Sequence, residues 1–167
     1  DLETALAGHE PQGTFIVSQE EYDKSFDSLC AKGSADIQRV ILGCPHYCLE
    51  EIKATAEYLK GKKIHDGVTV WIWTDMSTQA MAEASGYAKI IKEAGAEIFN
   101  SSCPLVIGRH CLDDINCLAT DGAKQAHYIR SDIDATVFLG TREQCLDAAI
   151  KGRWEDKNAV ASISERI

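Results

Sequence analysis

Apolar residues gather in four short runs: Arg39 to Leu42 (RVIL), Val68 to Trp73 (VTVWIW), Ala96 to Phe99 (AEIF) and Ala135 to Leu139 (ATVFL). Within each run the hydrophobic positions are nearly continuous rather than alternating, which is the pattern of strands covered on both faces. Between the runs the period lengthens to that of a helix. Leu49, Ile52, Ala56 and Leu59 fall on one face, and Ala80, Ala84, Tyr87, Ala88 and Ile91 on another. Ser18 with Glu21 and Thr141 with Gln144 have capping-box spacing, while Gly61, Gly95 and Gly152 stand where helices should stop. Joined by right-handed crossovers, these elements predict an α/β fold, a three-layer α/β/α sandwich around a mainly parallel sheet of about four strands.

The stretch from Pro104 to Asp134 fits this alternation least. It offers only a short helical hint around Gly122 to Ile129, and reads as a long irregular insertion of the kind that often carries function. Beyond Trp154 the tail EDKNAVASISERI is expected to be a peripheral helix or frayed. All 167 residues are read as one domain. A start without Met, at Asp1-Leu2-Glu3 as if inside a helix, gives the expectation of a fragment of a longer chain.

Composition narrows the classes of partner. The content of 45% hydrophobic and 26% charged residues is that of an ordinary globular domain, and a net charge of -9 argues against nucleic acid or an anionic membrane surface. No apolar stretch approaches the roughly 20 residues of a membrane span, and no secretory leader is visible, so a cytoplasmic location is expected. Seven cysteines lack the regular spacing of a disulfide framework and are expected to be free thiols.

In open α/β sheets ligands bind beyond the carboxyl ends of the strands. The residues just past the runs are Gly43-Cys44-Pro45-His46, Thr74-Asp75-Met76-Ser77, Asn100-Ser101-Ser102-Cys103-Pro104 and Gly140-Thr141. Two of the four carry a cysteine followed by proline, and parallel strands would bring Cys44 and Cys103 to one rim. Cys44 is also expected just before a helix whose N-terminal dipole would favour the thiolate, with His46 and Cys48 in the first turn. Several chemistries fit. Thiol–disulfide exchange between Cys44 and Cys48 is similar to the thioredoxin-like motif, but the spacing is off by one. A zinc site from Cys44, His46 and Cys48 needs a second close ligand pair, for which Cys111 and Cys117 are a loose candidate. An iron–sulfur cluster held by single cysteines from different strand ends has no tight spacing rule. Packed strand-end thiols with no task remain a fourth option.

Several segments together resemble the large subunit of the aconitase X family of hydro-lyases, which includes cis-3-hydroxy-L-proline dehydratase and phosphomevalonate dehydratase. Ile41-Leu42-Gly43-Cys44-Pro45-His46 followed by Glu50-Glu51 is the most specific piece. The Trp-rich strand Val70 to Thr74, Gly86-Tyr87, and Glu93 to Ala96 leading on to Cys103 are similar too. So are Thr120-Asp121-Gly122-Ala123-Lys124-Gln125-Ala126-His127-Tyr128 and the closing segment Phe138 to Gly152. The likeness runs over residues 14–152.

This resemblance implies an aconitase-like domain and, in the complete enzyme, dehydration of a small hydroxy acid such as cis-3-hydroxy-L-proline. It also implies an iron–sulfur cluster with Cys44 and Cys103 as two of three cysteine ligands, the third lying outside this chain. Lys124 and His46 are the implied catalytic residues, and Thr120, Asp121, Lys124 and His127 the implied substrate contacts. A small swivelling subunit is the implied partner and would supply a serine base. Made alone, the fragment is expected to be metal-free and inactive. Cys48 stands where the family commonly has Ser, and Asp121-Gly122 where it has Asn-Ser, which bears on the substrate and on activity. A non-catalytic subunit-association module is the alternative from another class.

Overall fold

The computed structural model describes residues 1–155; the tail beyond lies outside the described residues. In chain order the elements are α1 (Leu2–Leu6), α2 (Gln19–Leu29), β1 (Ala35–Asp36), β2 (Arg39–Tyr47), α3 (Leu49–Leu59), β3 (Thr69–Thr74), α4 (Met76–Ala84), α5 (Tyr87–Ala94) and β4 (Ala96–Asn100). There follow α6 (Pro104–Ile107), a 3-10 turn (Arg109–Leu112), β5 (Cys117–Thr120), α7 (Ala123–Asp132), β6 (Thr136–Leu139), α8 (Arg142–Lys151) and β7 (Arg153–Trp154). Five strands form one parallel sheet in the order β4-β3-β2-β5-β6, and β1 pairs with β7 antiparallel beside it.

The continuous runs have the structural meaning expected of them. Val40 and Leu42 face a core shared with Ile52 and Leu59 of α3, Ile91 of α5 and Leu146 of α8. Between them Ile41 points the other way, into a second core with Trp73, Leu118 and the α7 residues Ala126 and Ile129. Both faces of the sheet are therefore dry, which gives the α/β/α layering. The expected four strands become five, because Cys117–Thr120 inside the supposed irregular insertion is fully buried between β2 and β6. The helical pattern over 80–91 is two helices, broken at Ser85-Gly86.

β2 does not stop at Leu42. It pairs Leu42 with Ile72 and then Tyr47 with Thr74, so five steps along β2 run against two along β3, and residues 43–46 bulge out of the ladder. Gly43 makes the bulge possible: its φ is 91°, and a methyl there would lie 2.2 Å from the Trp73 carbonyl oxygen. The Cys44–Pro45 peptide bond within it is cis.

Asp121, just past β5, ties the bulge down. Its carboxylate accepts the Gly43 N–H at 3.3 Å and the Tyr47 hydroxyl, while the Tyr47 carbonyl accepts from Thr74 Oγ1 at 2.5 Å. Burial pushes the Asp121 carboxyl from 3.8 up to about 6, against the opposing pull of these hydrogen bonds.

Gly43→Ala should lower stability by more than about 2 kcal/mol in urea unfolding, since a side chain there meets backbone on a left-handed residue. Leu42→Ala, which empties a fully buried site, should cost about 2–5 kcal/mol. Asp121 binds its proton more tightly folded than unfolded. Its contribution is thus fully present below pH 3.8 and fades as pH rises through about 6, by up to about 3 kcal/mol. Asp121→Asn should flatten that part of the melting-temperature profile between pH 4 and pH 7; an unchanged slope would contradict the assignment.

Candidate functional site

The bulge re-aims Cys44 toward the first turn of α7. Gly122, the N-cap of that helix, lies so close that a methyl there would sit 2.6 Å from the Cys44 carbonyl oxygen and 2.8 Å from its Cβ. The thiol is half-buried. Burial pushes its pKa up and the neighbouring Cys103 adds to this, whereas the Lys124 ammonium and the Gln125 N–H pull it down.

Cys103 follows β4 on the same rim and occupies the N-cap position of α6. The two cysteine loops are stitched together by His46, whose Nε2 lies 2.8 Å from the Ser102 carbonyl oxygen. A carbonyl only accepts, so Nε2 carries the proton and Nδ1 is the basic nitrogen of an exposed ring. Both cysteines thus lie at the carboxyl ends of parallel strands, on the same edge of the sheet.

Other expectations are corrected. Because β2 continues to Tyr47, His46 is not in the first turn of α3, and Cys48 is that helix's N-cap. The helix end that meets Cys44 belongs to α7, and the net effect on the thiol is upward because desolvation outweighs the helix N–H. The exchange reading for Cys44 and Cys48 is weakened by the same physics. At Cys48 a hydrogen bond at Glu51 pulls down, but burial and the Glu50 and Glu51 carboxylates together push further up, so neither thiol favours the thiolate that exchange requires. Among the described residues no group of three or more His, Cys, Asp or Glu is arranged to hold a metal, which leaves the zinc reading without a site there.

The four residues expected to contact substrate divide into two pairs. Lys124 and His127 are exposed and three apart on α7, hence on one face, with His127 edge-on to Tyr128 at 5.3 Å. Thr120 is fully buried: its hydroxyl donates to Gln125 Oε1 and accepts the Gly122 N–H, both at 3.2 Å. Asp121 is turned inward to Gly43 and Tyr47. Sequence reasoning missed Tyr47 and Gln125; a polar residue in the first turn after Gly122 was the available signal for the latter.

Beneath the rim, the Arg39 guanidinium stacks on Trp71 at 3.8 Å, and Nη1 donates to the Cys111 carbonyl at 2.9 Å, anchoring the turn that follows α6. Cys111 turns its own thiol to the Gly108 carbonyl at 3.1 Å, and Cys117 and Cys145 are buried. His9, His65 and His110 are exposed, as expected.

This arrangement has relatives. The model of the aconitase X third domain matches residues 37–151. A cis-3-hydroxy-L-proline dehydratase of Pseudomonas aeruginosa is 28% identical over 92% of this chain and 27% of its own length. A phosphomevalonate dehydratase large subunit of Methanocaldococcus jannaschii is 34% identical over 68% of this chain and 27% of its own. The crystal structure of Thermococcus kodakaraensis aconitase X, in its holo-form, superposes with a TM-score of 0.73 at 28% identity, covering 88% of this chain and 37% of that one. The chain thus spans about a quarter of the length of the curated relatives it matches. The match over residues 37–151, well over half of the chain, shows that the chain belongs to the aconitase X family and carries that family's third domain.

Proposed function

We propose that this chain is the cluster-facing part of an iron–sulfur hydro-lyase that dehydrates a small hydroxy acid, such as cis-3-hydroxy-L-proline. The observation that carries the reading is the convergence of Cys44 and Cys103, two half-buried thiols from separate strand ends whose loops are joined by His46 and Ser102. The donor set suits the group. Soft cysteine sulfurs at a partly enclosed rim, which would lose their protons as iron binds, are what cluster iron takes. Cys44 and Cys103 would each give one sulfur, and the third ligand would come from outside this chain. When bound, the cluster supplies a Lewis-acidic iron for the departing hydroxyl.

The remaining chemistry falls to side chains on the rim. Lys124, exposed at the start of α7 next to helix N–H groups, would hold the substrate carboxylate. His127 would contact the same anion from the next turn. His46 keeps its Nε2 proton on the Ser102 carbonyl, and its Nδ1 would accept a hydrogen bond from the bound substrate and help to orient it. A small swivelling subunit would close over the rim and supply the base. Without that subunit and the third cysteine, this stretch by itself would be inactive. The thiol–disulfide reading loses ground because both Cys44 and Cys48 are pushed toward the neutral thiol.

Anaerobic reconstitution of the full-length protein with iron and sulfide should give visible absorbance that falls sharply in Cys44→Ser and in Cys103→Ser. A spectrum that survives both substitutions removes the reading. In the assembled enzyme, Lys124→Ala should raise KM for an anionic hydroxy acid by roughly tenfold to a hundredfold, the worth of one charge-assisted contact. An unchanged KM would take Lys124 out of the site.

A further inference from the structure

We infer that Asp121 is a positioning residue for the Cys44 thiol, acting through the bulge it clasps rather than by touching substrate. The inference rests on the reading above for what the thiol does, but its geometry is independent of any ligand. Asp121 reaches back from the end of β5 and receives two donors from the two ends of the bulge, the Gly43 N–H on one side of Cys44 and the Tyr47 hydroxyl on the other. Tyr47 is itself fixed from β3, through Thr74 Oγ1 on its carbonyl. Three neighbouring strand ends are thereby joined around one cysteine.

Close packing removes the remaining freedom. Gly43 is pressed onto the Trp73 backbone and Gly122 onto the Cys44 backbone and Cβ, so the bulge cannot slide toward β3 or β5. Held there, Cys44 is packed against Gly122 at the start of α7. Each carboxylate oxygen already accepts one donor from the bulge, whereas Lys124 and His127, close by in sequence, are exposed. A thiol fixed in advance need not be ordered again when its ligand arrives, which is the benefit of preorganisation.

The test is the rate at which iodoacetamide alkylates each cysteine of the intact, metal-free protein under native conditions, read by mass spectrometry. Asp121→Ala should speed alkylation of Cys44 about tenfold, the equivalent of one lost charge-assisted hydrogen bond, while Cys103 and the buried Cys117 change less than about twofold. Asp121→Asn keeps an acceptor for the Gly43 N–H and a polar partner for Tyr47, and should stay near wild type. Because Asn also removes the charge, a rise shared by Asn and Ala would mean electrostatics and overturn the clasp. Ile64→Ala, which loosens the core at the opposite, amino-terminal end of the sheet beside Ala94 and Gly95, controls for general destabilisation and should leave the Cys44 rate near wild type. The inference is also overturned if Asp121→Ala leaves Cys44 unchanged, or if Cys44 and Cys117 accelerate together. Failure of iron and sulfide reconstitution would remove the function reading and leave this reactivity pattern standing.

Discussion

Parallel pairing is the constraint on which the rest depends. Because all five strands run the same way, each delivers its carboxyl end to one edge, and residues far apart in sequence become neighbours there. Cys44, Cys103 and the 120–127 segment share a rim for that reason. The sheet can hold this arrangement only if both faces are covered, and the two apolar cores on either side of β2 do so. Packing thus sets the chemistry: buried strands with no polar face leave their rim as the place where functional groups can emerge.

At the rim a second, local constraint takes over. β2 does not end in a simple turn but bulges, and the bulge carries the cysteine. Bulges are a way to re-aim a side chain without disturbing the ladder beneath. Here the re-aimed thiol sits between a backbone donor and a lysine that favour its anion and a desolvating wall that does not. A neutral thiol at rest is compatible with metal ligation, since binding itself drives the proton off.

Much of this was legible in the sequence, for reasons tied to particular residues. The runs RVIL, VTVWIW, AEIF and ATVFL are apolar on both sides of the chain, and only strands inside a covered sheet read that way. The capping boxes at Ser18 and Thr141 formed as spaced. β5 was not legible, because Cys117-Leu118-Ala119-Thr120 is four residues long and offers no β-branched run; its burial comes from neighbours supplied by distant parts of the chain. The bulge was hidden for a related reason. Pro45 after Cys44 reads as the close of a strand, and nothing local tells that Asp121 and Tyr47 will hold the backbone extended for three more residues. Asp121 itself reads, through the family resemblance, as a substrate contact; only the fold turns it inward to Gly43 and Tyr47.

The central claim is that Cys44 and Cys103 present their sulfurs to one shared space. A short bifunctional thiol reagent, applied to the metal-free protein and followed by peptide mapping, measures this directly. The account predicts a Cys44–Cys103 bridge as the main product. Single adducts at both cysteines, with no bridge between them, would contradict it.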